Sequence, residues 1–337
     1  MVSSALTKPA NRRNIRLSDG LDGGNAMRSI LIAVIPALVV LAPSIASAAA
    51  APVAIPADVE VIKDVEYGKV GDYSLKLDIL RPAKQPKQPL PVVVWIHGGG
   101  WRSGDKGAMT KTLLPFVKHG YCCVSINYRF STVATFPAQV QDCKCSIRFL
   151  RAHAKQYNID PDRIGVWGGS AGGYLVAMLG TTAGVKEFEG DGGWQSFSSR
   201  PNAVCDLYGI TDIPAIDELV KEGKATQRFM TRPSSGDTVS PMLGVPYWEA
   251  KDLAVKASPI TYVSKDDPPF LIMHGDRDPL TPMSQGARLN SALRKVGVDS
   301  TLRILTGAGH GFAGRPDCYL TAMKFFDAHL KPKAKQH

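Results

Sequence analysis

From about residue 59 the apolar positions switch repeatedly between a two-residue and a three-to-four-residue period. Val59–Tyr67 and Tyr73–Leu80 carry the strand period, the second setting Leu75, Leu77 and Ile79 against polar neighbours. Val92–Ile96 is apolar throughout, as suits a strand buried on both faces of a sheet. The spacing predicts a helix at Thr112–Lys118, a strand at Cys122–Tyr128 and a long amphipathic helix at Pro137–Gln156. Asn158–Asp162 reads as a turn leading into a strand at Arg163–Trp167, with a helix from Ala171 to Gly180. The pattern resumes with a strand at Phe270–Met273, a helix at Ser284–Val296, a strand at Thr301–Leu305 and a closing helix at Pro316–Leu330. Such alternation predicts an α/β fold, a mostly parallel central sheet flanked by helices.

Two stretches break the alternation, 186–200 and 213–258. Long irregular insertions in a compact domain are usually functional, and these are expected to cover a site as a small irregular lid. No internal repeat and no long linker divides residues 55–331, which read as a single catalytic domain followed by a basic tail at 332–337.

The amino-terminal part obeys other rules. Arg28 precedes an apolar run from Ile30 to Ala42, and Ala46-Ser47-Ala48 supplies a small-residue cleavage site, the order expected of a secretory signal. The run is interrupted by Pro36 and falls short of the about 20 apolar residues of a spanning helix, so no stable membrane span is expected. Residues 1–48 are therefore read as a signal region, with Met27 a possible true start. The protein is expected in the periplasm or medium, beginning near Ala49. The formal net charge is +10, but the first fifty residues and the carboxyl-terminal lysines supply most of it. No basic stripe with interleaved aromatics remains to bind nucleic acid.

Export would let disulfides persist among the six cysteines. Cys122 and Cys123 should face opposite sides of their strand. Buried free thiols are the plain reading; if one bridge forms, Cys143, on the long helix, and Cys205, in a further strand, are the first candidate pair, although sequence does not determine connectivity. No C-x-x-C spacing occurs, so no metal site is expected, and nothing calls for a cofactor.

The chemistry-bearing motifs fall at strand ends. Gly168-Gly169-Ser170-Ala171-Gly172 lies where a strand gives way to a helix, a sharp turn that projects a serine hydroxyl from the sheet edge. The helix after it turns its N–H groups toward the same point. His97-Gly98-Gly99-Gly100-Trp101 comes directly after a buried strand. Its glycines let backbone N–H groups approach a developing oxyanion, with His97 itself a structural residue. His274-Gly275-Asp276-Arg277-Asp278-Pro279 and Gly307-Ala308-Gly309-His310-Gly311-Phe312 come after two later strands, completing the chain order serine, acid, histidine. Trp101, Trp194 and Phe312 are candidates for the substrate pocket, with plain packing an equally good account of each.

The stretches Gly165–Gly173, Ala257–Pro282 and Gly307–Phe312, with His97–Trp101, resemble the esterase/lipase branch of the α/β-hydrolases, most closely the bacterial feruloyl-esterase-like group acting on plant polysaccharides. The resemblance covers about residues 60–330. It implies an α/β-hydrolase fold, a triad of Ser170, Asp278 and His310, and oxyanion donors at Gly99, Gly100 and Ala171. Asp276 is the other acid within reach, but the pattern H-G-x-x-D points to Asp278. A physical argument agrees: Asp276 stands next to Gly275 and suits turn N–H groups, whereas Pro279 biases Asp278 toward an extended conformation. Lipase-like members usually carry an acidic residue before the serine, where this chain has Gly169. The resemblance thus implies a serine carboxylic-ester hydrolase for short or aromatic acyl esters of carbohydrates or other small molecules. An amidase or peptidase with the same triad, and a binding protein on an inactive scaffold, are the alternatives.

Overall fold

The computed structural model describes residues 53–216 and 237–331. Eight strands form one sheet: β1 (Val59–Val70), β2 (Tyr73–Pro82), β3 (Leu90–Ile96), β4 (Cys122–Ile126), β5 (Ile159–Gly169), β6 (Ala203–Leu207), β7 (Phe270–Gly275) and β8 (Ser300–Leu305). Their spatial order is β1-β2-β4-β3-β5-β6-β7-β8. The β1–β2 and β2–β4 pairs are antiparallel and every later pair is parallel. Among the described residues, five helices of eight residues or more cover it: α1 (Thr110–Lys118), α2 (Ala138–Ala152), α3 (Ala171–Thr181), α4 (Met283–Lys295) and α5 (Pro316–Leu330).

Alternation along the central strands sorts the core into two layers. Val92, Val94 and Ile96 of β3 pack with α2, α3 and α4, while Val93 and Trp95 pack with α1 and α5. β3 is therefore apolar at every position because both of its faces are covered. At the register pair Trp95↔Trp167 the two indoles meet edge to face, centroids 4.9 Å apart.

Several local expectations change in the fold. The helix expected to run to Gln156 stops at Ala152. The chain leaves helical geometry at His153 (ψ 18°), whose ring nitrogen bonds the Phe149 carbonyl at 2.9 Å. The turn expected at Asn158–Asp162 narrows to Asn158, in the left-handed region at φ 53°. Ile159 already pairs with Leu90, and a register shift before Val92↔Ile164 absorbs the residues between. Cys122 and Cys123 do face opposite layers. All six cysteines are free and buried, as the plainer reading has it, and the candidate Cys143–Cys205 bridge does not form because the sheet stands between the two side chains.

Segment 186–200 is not half of a lid. Lys144 and Arg148, one turn apart on α2, are both buried and need an acid. Glu189 supplies it, at 2.8 Å from Lys144 Nζ and 2.7 Å from Arg148 Nη1. The Gly192 carbonyl accepts from Lys69 N–H of β1. The segment is a brace across α2 and β1. In 213–258, residues 217–236 lie outside the described residues, and of the remainder Thr238 reaches the cavity at the candidate site. No helix among the described residues is long and apolar enough to cross a membrane. The signal region 1–48 and the tail 332–337 lie outside them.

Candidate active site

β5 ends at Gly169 and α3 begins at Ala171, so Ser170 takes the whole change of direction. Its backbone sits at φ 58°, ψ −120°, a conformation costly for a residue with a β-carbon. Two hydrogen bonds hold it there: Ser170 N–H to the Leu207 carbonyl at 2.9 Å, and Tyr174 N–H to the Ser170 carbonyl at 3.0 Å. The turn also needs bare neighbours. A β-carbon on Gly172 would lie 2.0 Å from the Ile96 carbonyl oxygen, against the backbone of β3.

The loop after β3 turns at Gly99 (φ 107°) and Gly100 (φ 60°), angles that favour glycine. The Gly99 carbonyl accepts from the N–H groups of Arg102 and Ser103 and from Ser103 Oγ, which ties down the outer side of the loop. The N–H groups of Gly99, Gly100 and Ala171 have no acceptor among the described residues, and all three residues line one cavity. His97 is structural: its ring stacks on Tyr128 at 4.5 Å and bonds the Gly98 carbonyl at 2.8 Å. Burial lowers its affinity for a proton.

The loops after β7 and β8 are laced together. Arg277 N–H donates to the Ala308 carbonyl at 3.0 Å, and Asp276 Oδ1 accepts from Gly307 N–H at 2.7 Å. Asp276 therefore closes the turn, and Asp278 is the carboxylate that meets the histidine. His310 Nδ1 lies 2.8 Å from Asp278 Oδ2, while Oδ1 accepts from Leu280 and Thr281 N–H at 2.8 and 2.9 Å. The Asp278 side chain has no exposed surface. Burial alone would raise its pKa, but the hydrogen-bonding of His274 and His310 outweighs burial and holds it well below the usual carboxylate range. His274 Nε2 bonds the Thr281 carbonyl at 2.9 Å and lies 3.6 Å from Asp278 Oδ2.

Ser170 and His310 both line a cavity of about 640 Å³ at the carboxyl ends of the strands. No hydrogen bond joins them among the described residues. Open α/β sheets build their sites along this edge.

Of the three aromatic pocket candidates, one reaches the cavity. Trp101 lines it, although the residue is 1% exposed and packs edge-on to Tyr174. Trp194 does not. It sits on the brace, where its Nε1 donates to the Tyr67 carbonyl at 2.9 Å and its ring meets Phe149 and His153. Phe312 turns away from the cavity into the core beside Tyr208, centroids 4.6 Å apart. Sequence reasoning missed Tyr208, Ile210 and Thr238, which do line the cavity. Position after β6, at the same edge as the other loops, is the signal that could have found the first two.

The BD-FAE family profile matches residues 77–293. Esterase LipQ of Mycobacterium tuberculosis is 32% identical over 253 residues, which are 74% of this chain and 56% of that protein. The chain spans about half the length of the curated relatives it matches. Among solved structures, a truncated carbohydrate esterase from gut microbiota superposes with a TM-score of 0.71 at 31% identity, covering 81% of this chain and 97% of that one. The propionate-bound esterase Est2 of the planctomycete Thermogutta terrifontis gives 0.63 at 26% identity, covering 82% and 97%.

Proposed function

The chain belongs to the BD-FAE family of feruloyl-esterase-like α/β-hydrolases, and from that membership we propose that it is a serine ester hydrolase working through an acyl-enzyme. The observation that carries the reading is the 2.8 Å Asp278–His310 hydrogen bond at a cavity that also holds the strained Ser170.

Asp278, bonded to Nδ1, fixes the tautomer that leaves the other ring nitrogen of His310 free to act as base. His310 takes the Ser170 proton as Oγ attacks the ester carbonyl. The N–H groups of Gly99, Gly100 and Ala171 bind the oxyanion that results. His310 then protonates the departing alcohol, and water releases the acyl group by the same steps in reverse order.

The substrate class is short or aromatic acyl groups on carbohydrates. Three things support it: the likeness to a carbohydrate esterase, the likeness to a propionate-bound esterase, and a cavity of about 640 Å³, of small-molecule size. The protein acts after export, its mature form beginning near Ala49.

Nitrophenyl esters of increasing chain length test both parts. The first turnover should release a burst of nitrophenol stoichiometric with enzyme, and Ser170→Ala should lower kcat by about 10⁵. Rates should fall once the acyl chain exceeds about six to eight carbons, which the cavity cannot bury. Hydrolysis that survives Ser170→Ala would refute the mechanism, and a preference for long-chain triglycerides would refute the substrate class.

A further inference from the structure

Gly169, the residue that sets this chain apart from lipase-like sequences, has a steric reason in its surroundings. A β-carbon built on it would lie 2.6 Å from the Tyr208 hydroxyl oxygen and 3.0 Å from the ring carbon bearing it. No larger residue can stand beside Ser170 unless Tyr208 moves, and Tyr208 has little room to move. It is 5% exposed, its N–H donates to the Met273 carbonyl at 2.9 Å, and its ring packs on Phe312. Its backbone sits at φ 46°. Strain of this kind in a non-glycine residue is retained where a site over-determines the geometry.

The same ring also stands edge-on to His310, with centroids 4.5 Å apart and planes at 62°. Asp278 holds the imidazole at Nδ1, and a single hydrogen bond leaves a ring free to tilt about it. Ser170 supplies no second hydrogen bond among the described residues, so another contact has to set the tilt. Errors of about 10–20° already matter for a catalytic group. We propose that Tyr208 is a positioning residue for His310, and that position 169 carries no side chain because the Tyr208 ring occupies that space.

The inference rests on the proposed role of His310 as the base. It assigns Tyr208 no proton transfer. Burial holds its phenol well above the ordinary value, so the hydroxyl stays protonated. The ring does the positioning and the hydroxyl fills the gap beside Gly169.

Y208F, Y208L, G169A and the double variant G169A/Y208L are compared on nitrophenyl acetate, with folding checked by circular dichroism. Y208F keeps the ring and should stay within about threefold of wild-type kcat, whereas Y208L should lose about 30-fold in kcat with KM within about threefold. G169A pushes the ring aside and should lose about tenfold in the native background, but no more than about twofold further in Y208L. Should Y208L fail to fold, Y208M, with a flexible side chain that fills irregular space, replaces it in both comparisons. A Y208L enzyme within about threefold of wild-type kcat overturns the inference, as does G169A costing the same factor in both backgrounds. Failure of the esterase reading looks different, since hydrolysis would then survive Ser170→Ala.

Discussion

Asp278 at the site edge and Lys144 on α2 are both charged side chains with no exposed surface. Lys144 spends its three donors on the Thr182 carbonyl, Glu189 Oε1 and Ser199 Oγ, at 2.8, 2.8 and 3.2 Å. Its own donors are all spent, although Arg148 Nη2 in the same cluster is buried without a partner among the described residues, and its effect is to pin the brace to the helix. Asp278 also has its oxygens bonded, but through His310 its network opens onto the cavity. There the far ring nitrogen, Ser170 Oγ and three backbone N–H groups lack partners among the described residues. Both places bury charge. They differ in where the unpaired polar atoms lie: Arg148 Nη2 is buried in protein, whereas those of the site open onto the cavity. Enclosure in protein marks the structural network, and an end open to a cavity on a strained, rigid backbone marks the chemical one.

The largest effect should come from the open end. Asp278→Asn should lower kcat by about 10⁴ with little change in KM, because the amide stabilises the wrong histidine tautomer. Asp276→Asn disturbs one hydrogen bond, to Gly307 N–H, and should leave activity of the folded protein within about tenfold. The two variants are compared on one short-chain ester after matching their circular dichroism. A larger kcat loss for Asp276→Asn would reverse the roles of the two carboxylates.

The Lys144 network should respond in stability. Lys144→Met leaves Glu189 with Arg148 and Ser199 and should cost about 3 kcal/mol by denaturant unfolding. Turnover per folded molecule should be unchanged. A drop in kcat without loss of stability would show that the brace communicates with the site, and the contrast between the two regions would fail.

Asp206 gives the smallest test and the sharpest one, because it lies between the two cases. It is wholly buried on β6, and Oδ1 accepts from Gly209 N–H at 3.0 Å, but Oδ2 has no partner among the described residues. Burial raises its pKa to about 7, against the opposing pull of His274. The unfolded chain loses this proton near pH 4, about three units earlier. Stability therefore falls as pH rises between those values, and the full loss persists above about pH 7. Asp206→Asn keeps the Gly209 bond and removes the penalty. It should raise the unfolding temperature by a few degrees more at about pH 8 than at about pH 5. A gain independent of pH would mean that Asp206 does not keep its proton in the fold.

What sequence alone determined was whatever depends on a few consecutive residues. Hydrophobic patterning located seven of the eight strands and all five major helices, with β6 marked only by Cys205, since burial of one face or both dictates the pattern within each element. The turns at Gly99–Trp101 and Ser170 were legible because glycine spacing encodes backbone conformation directly. Which carboxylate meets His310 was legible too, from the pattern H-G-x-x-D and from one aspartate standing after a glycine and the other before a proline in the same short loop. Tertiary structure decided what depends on partners distant in the chain. Segment 186–200 has the composition of a lid, but two cations on a helix some forty residues earlier draw it away from the cavity. Trp194 went with it. Cys143 and Cys205 could be paired on paper, yet alternation along β6 and the face chosen by α2 put the sheet between them. Tyr208 carried no motif at all. Its contact with His310 exists because β6 and β8 end at the same edge, a juxtaposition created by strand order rather than by any local run of residues.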